Sequence, residues 1–320
     1  MTWIMRLKPE PMRETPAQIL IASPHIQSKF GINSPTPMNR TRLFLLLLVS
    51  GALIAADKPA AKKTLAKGDE KPVATVEKAI PRTELKAQVA PGAWLKFDFP
   101  ELSVDRYGAM AACKLTLPAN YDATKKYPLV AWLGGGDGTN SPKSSFLPEG
   151  DFIVVGLPYP KAAINPSQPS MVGDYAKVWA YQRFMLDEIA KVIPNIDKSR
   201  SIIAGFSNGG HSIDGMLRLS SGPKLTDYFG IFIFADGGGS AYSSKGNLPN
   251  LKDKFAYAWW GSEKGSNKPN TSHLPKALKA KGATVVGSEM AGVGHAFAET
   301  EHPKVAEWLE KVALAAPAKK

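Results

Sequence analysis

Cysteine is nearly missing from this chain: Cys113 is its one thiol in 320 residues. A single cysteine excludes an internal disulfide and a cysteine-based zinc site. Acidic residues are scarce too, 28 Asp/Glu against 40 Lys/Arg, for a net charge of +12. The imbalance is uneven, because residues 1–91 hold fourteen Lys/Arg against seven Asp/Glu. No basic stripe interleaved with aromatics runs through the remainder, which argues against a nucleic-acid surface. The five histidines are scattered, and none sits with Asp or Glu at metal-ligand spacing, so neither a metal nor another cofactor is expected. No apolar run reaches the roughly 20 residues that cross a bilayer. No internal repeat is visible.

What is present divides the chain. Residues 38–56 read MNRTRLFLLLLVSGALIAA. Arg40 and Arg42 precede an apolar run, 43–56, that closes in small residues, the pattern of a secretory signal. Cleavage is expected after Ala55 or Ala56, giving a secreted or periplasmic protein without a stable membrane span; an uncleaved anchor is the competing reading. Residues 1–37 show neither periodicity nor signal character, and Met38 is the expected start of translation. Residues 57–91 are rich in Lys, Ala, Pro and Glu and lack aromatics, the composition of a flexible linker. Residues 315–320 read as a tail.

From residue 92 the texture changes. Apolar segments at 93–99, 110–118, 128–133, 151–158, 201–205, 230–236, 254–261 and 283–290 read as strands. Between them lie helical patterns. The longest, 174–192, sets Val178, Tyr181, Met185, Ile189 and Val192 on one face. Shorter ones fall at 209–220, 273–281 and 301–314. Strands alternating with helices predict an α/β domain over 92–314, its mostly parallel sheet covered by helices on both faces. The first two strands have no helix between them, which suggests an antiparallel start. Ligands of such sheets bind beyond the carboxyl ends of the strands.

One segment at such an end carries chemistry. Residues 203–210 read IAGFSNGG, an apolar strand running into Gly205-Phe206-Ser207-Asn208-Gly209 and then a helical pattern. The bland reading is a strand-to-helix turn with a surface serine. The sharper reading is a nucleophile elbow, a strained turn that lifts Ser207 above the sheet. A lone G-x-S-x-G is a weak signal. Here the flanking strand and helix are in place, His295 follows downstream in GVGHAF, and a glycine triplet, 134–136, ends an upstream strand. A serine hydroxyl needs a base within hydrogen-bond reach, and imidazole suits because it titrates near neutrality. A developing oxyanion needs backbone N–H donors. Asn208, at the helix start, is one candidate, and Gly135 or Gly136 is the other.

These residues resemble the α/β-hydrolases, close to their secreted carboxylesterase, feruloyl-esterase and polyester-depolymerase-like members. The resemblance covers 110–314 and is carried by 117–136 (LPANYDATKKYPLVAWLGGG), RSIIAGFSNGGH at 200–211 and GVGHAF at 292–297. It implies an α/β-hydrolase fold, Ser207 as nucleophile, His295 as base, and a small-molecule or polymer ester as substrate. Two positions depart from the family. Gly134-Gly135 stands where members commonly carry His-Gly. The family acid usually lies three residues beyond the glycine after strand seven, and that position is Lys264. Glu263, one residue earlier, is the first choice for the acid. Asp236, at the end of strand six, is the second, and a remote or missing acid the third.

Other residues read as structural. His211, one helical turn beyond Ser207, fits a packed or capping histidine, and His273 and His302 fit loop and helix-start positions. Asp137 fits a turn, Trp259 and Trp260 fit core and strand-edge packing, and Phe206 fits the space between strand and helix. The expected activity is hydrolysis of carboxylic esters through an acyl-enzyme. A peptidase or thioesterase would use the same triad. A non-catalytic binding protein of the same fold is the alternative from another class, and Lys264 at the acid position is its main support.

Overall fold

The central strands are apolar at every position, and that property organises the molecule. In the computed structural model, which describes residues 79–316, β3 (Leu129–Leu133), β7 (Ile202–Phe206) and β8 (Ile231–Ala235) are almost wholly buried. Side chains alternate across a strand, so a run like this must be covered on both faces. Leu129, Ala131, Leu133, Ile203, Phe232 and Phe234 point into one core, whereas Val130, Trp132, Ile202, Ala204, Ile231 and Ile233 point into the other. Helix α2 (Tyr175–Val192) lays Val178, Tyr181, Met185, Ile189 and Val192 on the first face. Asp174 caps it by accepting from the Lys177 N–H at 3.0 Å. Helices α3 (Asn208–Leu217) and α5 (Leu274–Lys279), the latter preceded by the single turn α4 (Lys268–Thr271), join α2 there, and α6 (His302–Trp308) covers the opposite face with Val305 and Trp308.

The remaining strands are β1 (Trp94–Asp98), β2 (Ala112–Thr116), β4 (Ile153–Gly156), β9 (Phe255–Gly261) and β10 (Thr284–Met290). The eight strands run in the order β1-β2-β4-β3-β7-β8-β9-β10. β1–β2 and β2–β4 pair antiparallel, and every other pair is parallel. An antiparallel start, a crossover that places β4 before β3 and a parallel remainder make this the α/β-hydrolase fold. Each of the eight expected strands is present within a few residues of its expected limits.

Two features were not expected. Helix α1 (Arg82–Ala87) lies inside the stretch read as linker, and its Leu85 is fully buried. The Arg82 guanidinium sits 4.7 Å from the centre of the Phe99 ring. The linker reading therefore fails over these residues: composition spread across 57–91 hid Leu85, which enters the core, and Ile80 and Val89, which pack against it. Leu85→Ala is expected to lower unfolding free energy by about 2–5 kcal/mol. Urea denaturation measures this, and an unchanged midpoint would place α1 outside the cooperative unit. The second feature is a hairpin, β5 (Ile164–Asn165) and β6 (Gln168–Val172), whose Pro166 and Pro169 disguise it as loop. The signal segment 38–56, the start at Met38 and most of the linker lie outside the described residues, as do the last four residues of the tail. No helix among the described residues is long and apolar enough to cross a membrane.

Candidate active site

The site is built where β7 meets α3. β7 pairs in parallel with β3 and β8, and the Ser207 N–H donates to Ala235 O at 2.9 Å. The chain then reverses into α3 within one residue. Ser207 takes φ 53° and ψ −113°, a left-handed conformation that a side chain disfavours. Such a turn needs backbones in near contact: a Cβ on Gly209 would run into the Leu133 carbonyl. Hence the glycines around the serine. The turn leaves the Ser207 hydroxyl at the carboxyl end of the sheet, ahead of the helix N-terminus, whose first N–H groups have no intrahelical partner.

His295 arrives on the loop that follows β10. Its Nε2 lies 2.8 Å from Ser207 Oγ, and its Nδ1 lies 2.6 Å from Asp236 Oδ2. The Phe206 ring stacks on the imidazole at 4.9 Å between centroids and 23° between planes. An aromatic face stacked on the imidazole restrains its rotation. Phe206 thus packs on the His295 ring itself, where the sequence reading placed it only between strand and helix.

Asp236 is the residue after β8 and is fully buried. It also carries a left-handed φ of 40°. Its Oδ1 accepts from the Asn267 N–H at 2.9 Å, and its carbonyl accepts from Asn267 Nδ2 at 2.7 Å. One oxygen is thereby held and the other aimed at the ring. A carboxylate on Nδ1 stabilises the tautomer with its proton there, leaving Nε2 free to accept from the serine.

Glu263, the first choice for this position, is not the residue that faces the ring. Its backbone N–H donates to Val293 O at 2.9 Å, and its exposed carboxylate accepts from Ser262 Oγ at 3.2 Å. β9 stays in unbroken register with β10 through Gly261 and the chain turns at Lys264 and Gly265, so no bulge swings Glu263 inward. β8 lies beside β7, so the end of β8 is nearer to Ser207 than the end of β9. Lys264 is exposed on the same loop. Asn267, which braces Asp236, carried no signal in the sequence.

The oxyanion candidates also converge. Gly135 lies so close to the elbow that a Cβ on it would sit 3.2 Å from Ser207 Cβ and 2.7 Å from Phe206 Cδ1. Gly136 is tied to α3 through its carbonyl, which accepts from Asn208 Nδ2 at 2.8 Å. Asn208 opens α3 directly behind the serine.

The remaining histidines and tryptophans stand outside this arrangement. His211 is buried, and its Nδ1 accepts from the Gly238 N–H at 2.9 Å. Burial pushes its pKa below the ordinary imidazole value, so it stays neutral beside the site. His302 packs on Phe297 with ring centres 4.6 Å apart, His273 precedes α5, and Asp137 pairs with Arg106. Trp259 is wholly in the core, and Trp260 donates to Glu289 at 2.9 Å. Among the described residues no group of three His, Cys, Asp or Glu could hold a metal.

No family model matches the chain, and no curated protein matches it. Solved structures do. A carboxylesterase of Bacillus cereus aligns at 16% identity and TM-score 0.48, covering 72% of this chain and 99% of that one. An esterase of Pyrobaculum calidifontis aligns at 13% identity and TM-score 0.48, covering 73% and 89%. A ferulic acid esterase of Anaeromyces mucronatus, solved with ferulic acid, aligns at 13% identity and TM-score 0.46, covering 70% and 91%. The fold assignment rests on the strand order rather than on these likenesses.

Proposed function

We propose that this chain is a serine hydrolase that cleaves carboxylic esters through an acyl-enzyme. The observation that carries the reading is the continuous hydrogen-bond path from Ser207 Oγ to His295 Nε2 and from His295 Nδ1 to Asp236, built on a strained elbow. Ser207 Oγ attacks the ester carbonyl as its proton passes to Nε2. The carbonyl oxygen gains the negative charge and is held by the N–H of Asn208 and an N–H of the Gly135-Gly136 segment. The tetrahedral centre collapses, the C–O bond to the alcohol breaks, and the alcohol leaves with the proton from Nε2. Water then repeats the sequence on the acyl-serine, giving its proton to His295 and releasing the acid and a restored Ser207. Asp236 stays ionised throughout and stabilises the imidazolium.

An ester is preferred over an amide or thioester because the motifs resemble those of carboxylesterases. The non-catalytic alternative loses its main support, since Asp236 rather than residue 264 faces the imidazole. A panel of p-nitrophenyl acyl esters, peptide anilides and acyl thioesters tests the class. Turnover of the esters at the highest kcat/KM is expected, and preferred cleavage of an anilide or thioester would reassign the substrate.

We also infer export from residues 38–56. Exported protein should begin near Ala56 or Asp57 on N-terminal sequencing, and a soluble cytosolic chain with Met1 intact would contradict it.

A further inference from the structure

The glycine triplet beside Ser207 should be the least ordered part of the site, because glycine backbones are free. Yet all three of its carbonyls are engaged. Gly134 O accepts from the Tyr159 hydroxyl at 2.9 Å, and Gly135 O accepts from the Gly138 N–H at 2.9 Å. Gly136 O accepts twice, from Asn208 Nδ2 at 2.8 Å and from Arg106 Nη1 at 3.2 Å. In a planar trans peptide the C=O and the following N–H point in opposite directions. Tying a carbonyl back therefore aims the next N–H forward. The ties on Gly134 O and Gly135 O aim the N–H groups of Gly135 and Gly136 in this way, and neither donates to another described residue; the ties on Gly136 O fix where the segment ends.

Two of the braces reach further. The Arg106 side chain, only 10% exposed, also pairs through its guanidinium with the Asp137 carboxylate and donates to the Pro169 carbonyl on β6. Asn208 Oδ1 accepts from the Val172 N–H at the end of β6 at 3.2 Å. Both side chains thus hold Gly136 against the β5–β6 hairpin. A planar fork suits this task, because its donors leave in fixed directions toward several acceptors at once. Position 134 could not easily hold a bracing side chain of its own: a Cβ there would lie 3.0 Å from both the Gly138 backbone and Thr139 Cγ2.

The geometry points to Arg106 and Asn208 as positioning residues that preorganise the oxyanion loop against the β5–β6 hairpin. The inference rests on the reading of Ser207 as nucleophile. Neither side chain touches the reacting atoms. Each anchors the far end of the triplet at the Gly136 carbonyl, while the ties on the Gly134 and Gly135 carbonyls turn the two N–H groups. Losing an anchor lets the donor-bearing segment shift as a whole, so the effect falls on the charged transition state more than on substrate binding.

The test uses the full chain, a p-nitrophenyl ester and an alkyl boronic acid, which adds to the serine as a tetrahedral anion. Arg106→Ala is expected to lower kcat by about 10- to 100-fold, short of the loss of a whole donor, with KM held within about 3-fold. Boronate affinity should fall in step with kcat. A cavity of about 260 Å3 lined by Arg106, Asp137 and Tyr159 adjoins the loop. Guanidinium ion at millimolar concentration should therefore re-enter the vacated place and restore part of kcat in Arg106→Ala. Asn208→Ala keeps its own N–H and should show the same kcat and boronate losses without response to guanidinium. It carries the test alone if Arg106→Ala does not fold. Turnover by the unaltered chain with kcat within about 2-fold in both variants, or a kcat loss that boronate affinity does not follow, overturns this inference alone. Absence of both turnover and fluorophosphonate labelling in the unaltered chain overturns the hydrolase reading and this inference with it.

Discussion

Replacing Ser207 with alanine is expected to lower kcat on a p-nitrophenyl ester by at least about 10⁴-fold while leaving the chain folded. The size follows from the role. Among the described residues no other hydroxyl contacts His295 Nε2, which lies 2.8 Å from Ser207 Oγ, so no substitute nucleophile stands in place there. The folded state should be indifferent to the change. Alanine keeps the Cβ, so the strain at φ 53° is the same before and after. The Ser207 backbone bond to Ala235 is also untouched. Steady-state kinetics and a thermal melt, made on the same preparation, check both halves. Residual turnover within about 10-fold of the unaltered chain would remove Ser207 from the reaction.

The second large effect belongs to the acid. Asp236→Asn is expected to reduce kcat by about 10²- to 10⁴-fold, with little change in KM. An asparagine can still accept from the Asn267 N–H through one oxygen. Its amide would then turn an N–H toward Nδ1 and favour the tautomer with the proton on Nε2, which cannot take the serine proton. Glu263→Gln should stay within about 2-fold, because its carboxylate is exposed and, among the described residues, accepts from Ser262 rather than facing His295. Paired kinetics of the two variants decide between them. A larger loss in Glu263→Gln would contradict the geometry.

The two carboxylates also show how far the sequence is legible. Ser207 and His295 were readable because each sits in a local pattern: strand, glycine-flanked serine and helix for one, a glycine-rich loop between last strand and last helix for the other. The acid has no such pattern. Choosing it by position along the chain favoured the loop after β9, whereas the site is assembled across the sheet. The end of β8 adjoins β7, and Asp236 reaches the imidazole from there, with a left-handed φ that aspartate tolerates better than most residues but that nothing in its neighbourhood announces. The same limit explains Arg106 and Asn267. Arg106 lies thirty residues before the carbonyl it braces, and Asn267 lies thirty-one residues after the carboxylate it holds. Contacts of that span leave no periodicity to read.

Strands were legible for the opposite reason. A segment such as IFIFA at 231–235 must be covered on both faces wherever it lies, so its composition alone names its environment. Leu85 shows the converse. It sits in a mostly polar stretch with no apolar period, and its burial depends on a site offered by the strands that follow it.

Labelling of the serine tests the central claim most directly. The chain is incubated with a fluorophosphonate, digested with trypsin, and its peptides are analysed by mass spectrometry. Trypsin releases residues 201–218, SIIAGFSNGGHSIDGMLR, which contain Ser207. The account predicts one adduct per chain, located by fragmentation to Ser207, suppressed by a competing ester and lost in Ser207→Ala. Ester turnover with no adduct on this peptide, or an adduct on it at Ser201 or Ser212 instead, would contradict it.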